Sequence, residues 1–116
     1  ANLGYLYENL VAQMITASGR ELYYHTWEKK GSTHYYEVDF LIQRENDIFP
    51  VEVKSEANTT SRSLKKFKEL FPDQVKLRVR FSLSNLKLDD DVLNVPLFMA
   101  DQTDRLIGIA LEQKKA

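Results

Sequence analysis

The alternation of apolar and polar residues predicts a β-hairpin over residues 35–55. Two runs rich in Val, Ile, Phe and Tyr flank a polar break, and a two-residue turn at Glu45-Asn46 gives them a common register. In that register Asp39 lies directly across from Glu52. The apolar residues of both strands then share the opposite, buried face: Val38, Phe40, Ile42, Phe49, Val51 and Val53.

Helical periodicity predicts one helix on each side of this hairpin. The first runs from Leu3 to Ala17, and Gly19 can end it because glycine tolerates a left-handed cap. The second runs from about Ser61 to Phe71, and Pro72 ends it.

The remaining apolar runs predict further strands. Glu21 to Trp27 is a first strand, and Val75 to Leu83 alternates strictly, with its apolar residues inward. Val92 to Ala100 is another short strand, expected at an edge of the sheet because it contains Pro96. Between them, Asp89 to Asp91 is predicted to be a solvated turn.

These elements predict an α/β fold, with a mixed four-stranded sheet, the first and second helices on its faces, and an appended C-terminal strand and helix. Thr103 to Lys115 is this last helix or a tail. The 116 residues are most simply one domain, 1–116. The absence of cysteine fits a cytoplasmic protein, and no apolar run approaches the roughly 18 residues that span a membrane.

The facing carboxylates of Asp39 and Glu52 are the strongest chemical signal. Like charges directly opposite each other destabilise a sheet, whereas a divalent cation between them would turn repulsion into attraction. Mg²⁺ or Mn²⁺ suits oxygen ligands of this kind, and Lys54 shares the face with Glu52. The alternative is a surface hairpin whose charges simply face water. Glu8, on the flank of the first helix, would by itself be a solvated residue.

A basic strip is predicted on the second helix and the strand that follows it. Its candidate nucleic-acid contacts are Lys65, Lys66, Arg78 and Arg80. Contacts with backbone phosphates dominate nucleic-acid affinity, so a basic strip of this kind favours a function in binding nucleic acid. The net charge of -1 argues against an independent nucleic-acid-binding protein, and an ordinary soluble surface is the alternative.

The order of elements and acidic residues resembles the PD-(D/E)XK nuclease superfamily, whose fold is shared by restriction endonucleases and archaeal Holliday-junction resolvases. The matching features are a Glu in the first helix, an Asp in the second strand and Glu-x-Lys in the third. More narrowly, the chain resembles an uncharacterised prokaryotic family in which such a domain follows an AAA+-type ATPase module. The segments that carry this second resemblance are 4–9, 37–42, 51–55, 63–64 and 95–97.

The resemblance implies a restriction-endonuclease-like αβββαβ core and a role for four residues. Glu8, Asp39 and Glu52 would be the acidic metal-site residues and Lys54 the catalytic lysine. It also implies that 1–116 is the C-terminal part of a larger, ATPase-linked protein. The departure from the family pattern is Val38, which stands where a proline often precedes the Asp.

The expected function is therefore that of a metal-dependent nuclease-like domain acting on phosphodiester bonds of DNA, with no membrane partner. The alternative is a non-catalytic module on a nuclease scaffold, which binds nucleic acid or docks onto an ATPase. A third interpretation is a toxin–antitoxin or dimerisation role, with the edge strand near Pro96 as the contact surface.

Overall fold

A computed structural model describes residues 3–19, 22–28, 35–55 and 62–115. Along the chain the elements are, in order, α1 (Leu3–Ala17), β1 (Leu22–Glu28), β2 (Tyr35–Arg44), β3 (Asp47–Val53), α2 (Arg62–Leu70), β4 (Arg78–Ser82), β5 (Lys87–Asp89), β6 (Val92–Pro96), a 3-10 helix (Leu97–Gln102) and α3 (Thr103–Lys115). Within these ranges, no helix is long and apolar enough to cross a membrane.

The strands form one mixed sheet in the order β1-β2-β3-β4-β6-β5. Strands β3, β4 and β6 run parallel to one another, and the other neighbours are antiparallel. The predicted mixed α/β architecture is confirmed. The predicted number of strands is wrong, because the sheet formed by the described residues has six strands and not four. The C-terminal strand is not an appendage, since β6 pairs with β4 and brings β5 with it.

The predicted edge position of the Pro96 strand is also wrong. Strand β6 lies between β4 and β5, and the chain then enters the 3-10 helix where the sequence predicted strand as far as Ala100. Pro96 is tolerated because β5 is short and its pairing with β6 stops at Asn94, so no β5 residue lies opposite the proline. The exposed edge predicted at Pro96 is not observed, because the proline is buried.

The register of the β2–β3 hairpin is the one that the two-residue turn predicted. Arg44 pairs with Asp47, and the ladder continues without a shift to Phe40 opposite Val51. Glu45 has a φ of 58°, the left-handed conformation that a two-residue hairpin turn requires.

A β-bulge interrupts the pairing of β2 with β1. Tyr23 pairs with Leu41 and His25 with Val38, so Tyr24 alone lies opposite two residues, Asp39 and Phe40. The bulge overturns part of the predicted face pattern, because Val38 and Phe40 pack into different clusters on opposite faces of the sheet.

The sheet is covered on both faces. Helix α1, the 3-10 helix and α3 cover one face, where the buried residues include Val11, Ile15, Phe40, Phe49, Val51, Val79, Phe81, Leu93, Val95, Ala100 and Ile107. Helix α2 covers part of the other face, where Val38, Leu64, Phe67 and Val75 form a smaller cluster with Leu41 and Ile48 at its border. Neighbouring residues of β3 consequently pack on opposite sides, as the strand period of two requires.

The strand predicted over Val75 to Leu83 is shorter than its alternation indicated. It begins at Arg78 and ends at Ser82, so Leu83 lies beyond the strand and is 65% exposed, not inward. The helices agree closely with prediction: α1 has the predicted bounds, and the segment predicted as a helix or a tail is helix α3. Helix α2 ends at Leu70, one residue before the predicted Phe71, and the predicted start at Ser61 lies outside the described residues.

The predicted solvated turn is wrong at Asp91, which is buried. Arg78 donates from Nε and Nη2 to the two oxygens of Asp91 at 3.1 and 2.5 Å, and Lys68 Nζ lies 3.8 Å away. Burial alone would raise the pKa of Asp91, but the hydrogen bonds and charge of Arg78, with Lys68, hold it below its usual 3.8. This ion pair joins the start of β4 to the β5–β6 turn.

We expect Asp91→Asn to lower the free energy of unfolding at pH 7 by about 2 kcal/mol, because Arg78 would lose the charge that compensates its burial. The folded pKa of Asp91 is lowered, so its stabilisation is complete above about pH 4 and is lost as the pH falls through the lowered pKa. Urea unfolding from pH 7 to pH 3 measures both effects. Asp89→Asn, at an exposed position of the same hairpin, is the matched control and should change little.

Candidate metal site

The candidate site lies at the carboxyl end of β3, beside β4. Val53 is in register with Phe81, and the Lys54 N–H donates to the Phe81 carbonyl oxygen at 2.8 Å. Strands β3 and β4 are parallel, so their carboxyl ends open at the same edge of the sheet. That edge is where α/β proteins commonly bind their ligands.

Asp39 and Glu52 lie close together just beyond the end of the β2–β3 ladder. The ladder ends with Phe40 opposite Val51, Asp39 and Glu52 are the next residues of the two strands, and the charge of Glu52 acts on Asp39. The Val53 N–H donates to Asp39 Oδ2 at 2.6 Å, which fixes the carboxylate against β3. Asp39 is also one of the two bulged residues of β2, and bulges commonly redirect a side chain beside a functional site.

The environment of Asp39 disfavours its charged form. Burial is the main cause, and the negative charges of Glu8 and Glu52 add to it. The hydrogen bond from Val53 and the charge of Lys54 act in the opposite direction. The net result raises the pKa of Asp39 from 3.8 to about 6. A carboxylate that is costly to ionise alone gains most from a nearby cation.

Glu8 reaches this site from helix α1. Its side chain is half-buried, and its charge raises the pKa of Asp39. Helix α1 packs Val11 and Ile15 into the core beneath the sheet, so the following turns of the helix hold Glu8 in place. The tertiary structure thus brings together Glu8, Asp39 and Glu52, the three acidic residues that the sequence singled out.

Glu52 is only partly compensated. Its Oε1 lies 3.1 Å from Lys54 Nζ, and its side chain is 14% exposed. Its other oxygen, Oε2, is buried and has no hydrogen-bond partner in the part of the chain that the structure describes. A buried carboxylate oxygen without a partner is costly, and a metal ion would satisfy it.

The donor set fits a hard divalent cation such as Mg²⁺ or Mn²⁺. Asp39 and Glu52 supply carboxylate oxygens, and such ions are often held by one or two carboxylates, with water and substrate oxygens as the other ligands. Among the described residues, no group of three or more His, Cys, Asp or Glu is arranged to hold a metal by itself. Direct coordination by Glu8 therefore stays a prediction.

The predicted basic strip is largely engaged within the domain. Arg78 is held by Asp91, and Arg80 donates from Nε to Asn94 Oδ1 at 3.2 Å. Lys66 lies 3.5 Å from a neighbouring acid of its own helix, whereas Lys65 is exposed. The four residues therefore do not form one continuous free surface.

The sequence did not reveal that Arg80 lies next to Glu52. The parallel register aligns these two residues, so their side chains are neighbours on one face. The sequence also did not predict that Asn94 is a buried hydrogen-bonding residue, 3% exposed in the middle of β6. The available signal was an amide within the apolar run Val92 to Pro96, because a buried polar residue needs a specific partner.

The comparisons with known proteins identify a family and a shared fold. The family model described as "Domain of unknown function (DUF4143)" matches residues 3–98, so the chain belongs to that family. A search of curated proteins found no match. A similar solved structure is that of protein VC1899 from Vibrio cholerae, with 16% identity and a TM-score of 0.50. The similarity covers 97% of this chain and 33% of VC1899, so the chain spans about a third of that protein's length.

We expect Asp39→Asn to raise the free energy of unfolding at pH 7 by about 1 to 3 kcal/mol in metal-free buffer. Asparagine keeps an oxygen to accept the Val53 N–H and removes the repulsion by Glu8 and Glu52. The folded pKa of Asp39 is raised, so the parent protein should lose stability as the pH rises from about 4 to about 6.

Urea unfolding from pH 4 to pH 7 measures this pH dependence in parent and variant. Asp39→Asn should lack the loss of stability over that interval, whereas the exposed carboxylate control Asp73→Asn should keep it. A destabilising effect of Asp39→Asn at pH 7 would contradict the assignment of repulsion at the site.

Proposed function

We propose that this member of the DUF4143 family is a metal-dependent nuclease domain that hydrolyses phosphodiester bonds of DNA. The observation that carries the proposal is the pair of neighbouring carboxylates, Asp39 and Glu52. Asp39 has a raised pKa, and one buried oxygen of Glu52 lacks a hydrogen-bond partner among the described residues. Lys54 lies beside the pair, with its Nζ 3.1 Å from Glu52 Oε1. Two acids and a lysine in this arrangement match what phosphodiester hydrolysis needs.

Asp39 and Glu52 would hold Mg²⁺ or Mn²⁺. When bound, the ion supplies a water of lowered pKa and positive charge against the phosphate oxygens. The protein contributes rigid placement, because the Val53 N–H restrains Asp39 and both β2 and β3 have a neighbouring strand on each side. Fixed ligands keep the charge in place throughout the reaction and avoid reorganisation at the moment of bond cleavage.

Lys54 would act on the reacting phosphate. Its ammonium group neutralises Glu52 in the metal-free protein, and a metal on Glu52 would release it toward the substrate. There it would orient the attacking water or stabilise negative charge that develops on the phosphate oxygens. Glu8 raises the negative potential around Asp39 and so favours a cation at that position.

The order of elements supports the same proposal. Helix α1, strands β1 to β3, helix α2 and strand β4 follow one another in the αβββαβ order of the restriction-endonuclease-like core. The acidic residues lie on the first helix, the second strand and the third strand of that order. We further propose that in the full-length protein an ATPase module works with this domain on DNA, as the family resemblance implies.

The alternative proposal is a non-catalytic module that docks onto the ATPase or binds nucleic acid without cutting it. The observation that favours it is the ion pair between Lys54 and Glu52, because a lysine that neutralises this acid reduces the need for a metal. In such a domain Mn²⁺ would not raise the melting temperature, and Glu52→Gln would be neutral or stabilising.

Calorimetric titration with Mn²⁺ and cleavage of plasmid DNA with Mg²⁺ separate metal binding from chemistry. We expect the parent to bind Mn²⁺ and cut DNA, and Asp39→Asn to lose both. Lys54→Met should keep Mn²⁺ binding and lose at least about a hundredfold in cleavage rate, because it removes only the group that acts on the phosphate.

The matched controls come from the opposite end of the same hairpin. Asp47 and Lys76 form an ion pair of the same length, 3.1 Å, far from the candidate site. Asp47→Asn and Lys76→Met should leave metal binding and cleavage unchanged. Cleavage by Lys54→Met at the parent rate would refute the role of the lysine, and absence of both metal binding and cleavage in the parent would favour the docking module.

A further inference from the structure

Arg80 places a second cation at the candidate site. It is in register with Glu52 across the parallel β3–β4 pair, so the two side chains lie side by side on one face. Lys54 directly follows β3, and its Nζ lies 3.1 Å from Glu52 Oε1. The site therefore combines a carboxylate pair with two cations of different geometry, the point charge of a lysine and the planar fork of an arginine.

The orientation of Arg80 is set by a buried asparagine. Arg80 Nε donates to Asn94 Oδ1 at 3.2 Å, and Ser82 Oγ donates to the same oxygen at 2.7 Å. Asn94 Nδ2 in turn donates to the carbonyl oxygens of Ser84 and Asn85 at 3.2 and 3.0 Å. Asn94 is 3% exposed, and its donors and acceptor are all engaged, so it cannot rotate without breaking several bonds.

The need to compensate the negative charge of Glu52 does not by itself explain why Arg80 is held in this orientation. Lys54 already contacts Glu52 Oε1 at 3.1 Å. A guanidinium held by a buried amide has a fixed plane, and a fixed plane is useful for an acceptor that binds an arginine through two oxygens. Carboxylates and phosphates both bind in this way, and at a site proposed to hydrolyse phosphodiesters the incoming acceptor is a phosphate.

We infer that Arg80 binds a phosphate of the nucleic-acid backbone at the metal site and that Asn94 is the positioning residue that orients its guanidinium. The inference rests on the proposed function, because it names how that site would hold its substrate. It also assigns separate roles to the cations of the predicted basic strip. Arg80 contacts the substrate, whereas Arg78 belongs to the structural ion pair with Asp91.

Binding of a labelled short DNA duplex, followed by fluorescence anisotropy between about 50 and 200 mM salt, tests the inference without any cleavage. Ca²⁺ replaces Mg²⁺ as the divalent cation. We expect Arg80→Gln to weaken binding about tenfold and to reduce the slope of log affinity against log salt by about one, as loss of one phosphate contact should. Glutamine can still donate to Asn94, and the melting temperature of the variant, measured alongside, shows whether the fold is retained.

Two conservative variants distinguish substrate contact from a structural role. Arg80→Lys keeps the charge, so it should retain the parent salt slope and lose only part of the affinity. Asn94→Ser leaves Arg80 in place without its restraint, and we expect weaker binding with an unchanged salt slope. The control Lys114→Gln removes one charge from a groove beside Glu45, at the turn end of the hairpin, and should match the parent.

The outcomes separate this inference from the proposed function. If Arg80→Gln equals Lys114→Gln in affinity and slope while Asp39→Asn abolishes Mn²⁺ binding, Arg80 is not a phosphate contact and the metal site stands. If the parent binds no Mn²⁺ but Arg80→Gln still lowers the salt slope, the nuclease proposal is wrong and the phosphate contact survives. A parent domain without measurable DNA affinity overturns both.

Discussion

The register of the β2–β3 hairpin is the constraint on which the site depends. The turn at Glu45 pairs Arg44 with Asp47, and the ladder then runs to Phe40 and Val51, the residues next to Asp39 and Glu52. A shift by one residue would exchange the faces of a strand, moving the acids into the core and apolar residues to the surface. Packing on both faces of the sheet therefore protects the geometry of the site.

The bulge in β2 adds a second level of control. At the bulge two residues of β2 lie opposite one residue of β1, and Asp39 is one of those two. A regular strand would have kept Val38 and Phe40 on one face, but here they pack on opposite faces. Because of the bulge, Val38 and Phe40 contribute to the buried clusters on opposite faces of the sheet, while Asp39 still accepts a hydrogen bond from the Val53 N–H.

Two aspartates of this domain, the buried Asp91 and the half-buried Asp39, have opposite electrostatic roles. Asp91 is compensated by Arg78, its pKa is lowered, and it joins β4 to the β5–β6 turn. Loss of solvent around Asp39 and the negative charges of Glu8 and Glu52 raise its pKa to about 6. The charge of Asp91 therefore stabilises the folded state at neutral pH, whereas the charge of Asp39 destabilises it. Proteins commonly keep such an unfavourable group where binding or chemistry uses it.

Much of the local structure could be predicted from the sequence, because it depends on short-range periodicity. The bounds of α1 and α3, the hairpin turn and its register follow from apolar spacing and turn chemistry, and they are observed as predicted. The proximity of Asp39 and Glu52 is of this kind, since the two residues belong to one hairpin and a two-residue turn leaves a single register that buries most of the apolar residues.

Relations between distant segments were decided only by the tertiary structure. The burial of Asp91, the interior position of β6 and the contact of Arg80 with Asn94 all depend on which strands become neighbours in the sheet. The proximity of Glu8 to Asp39 likewise depends on how α1 packs against the sheet. Local spacing carries no information about these neighbours, because burial and charge compensation arise from side chains that are far apart along the chain.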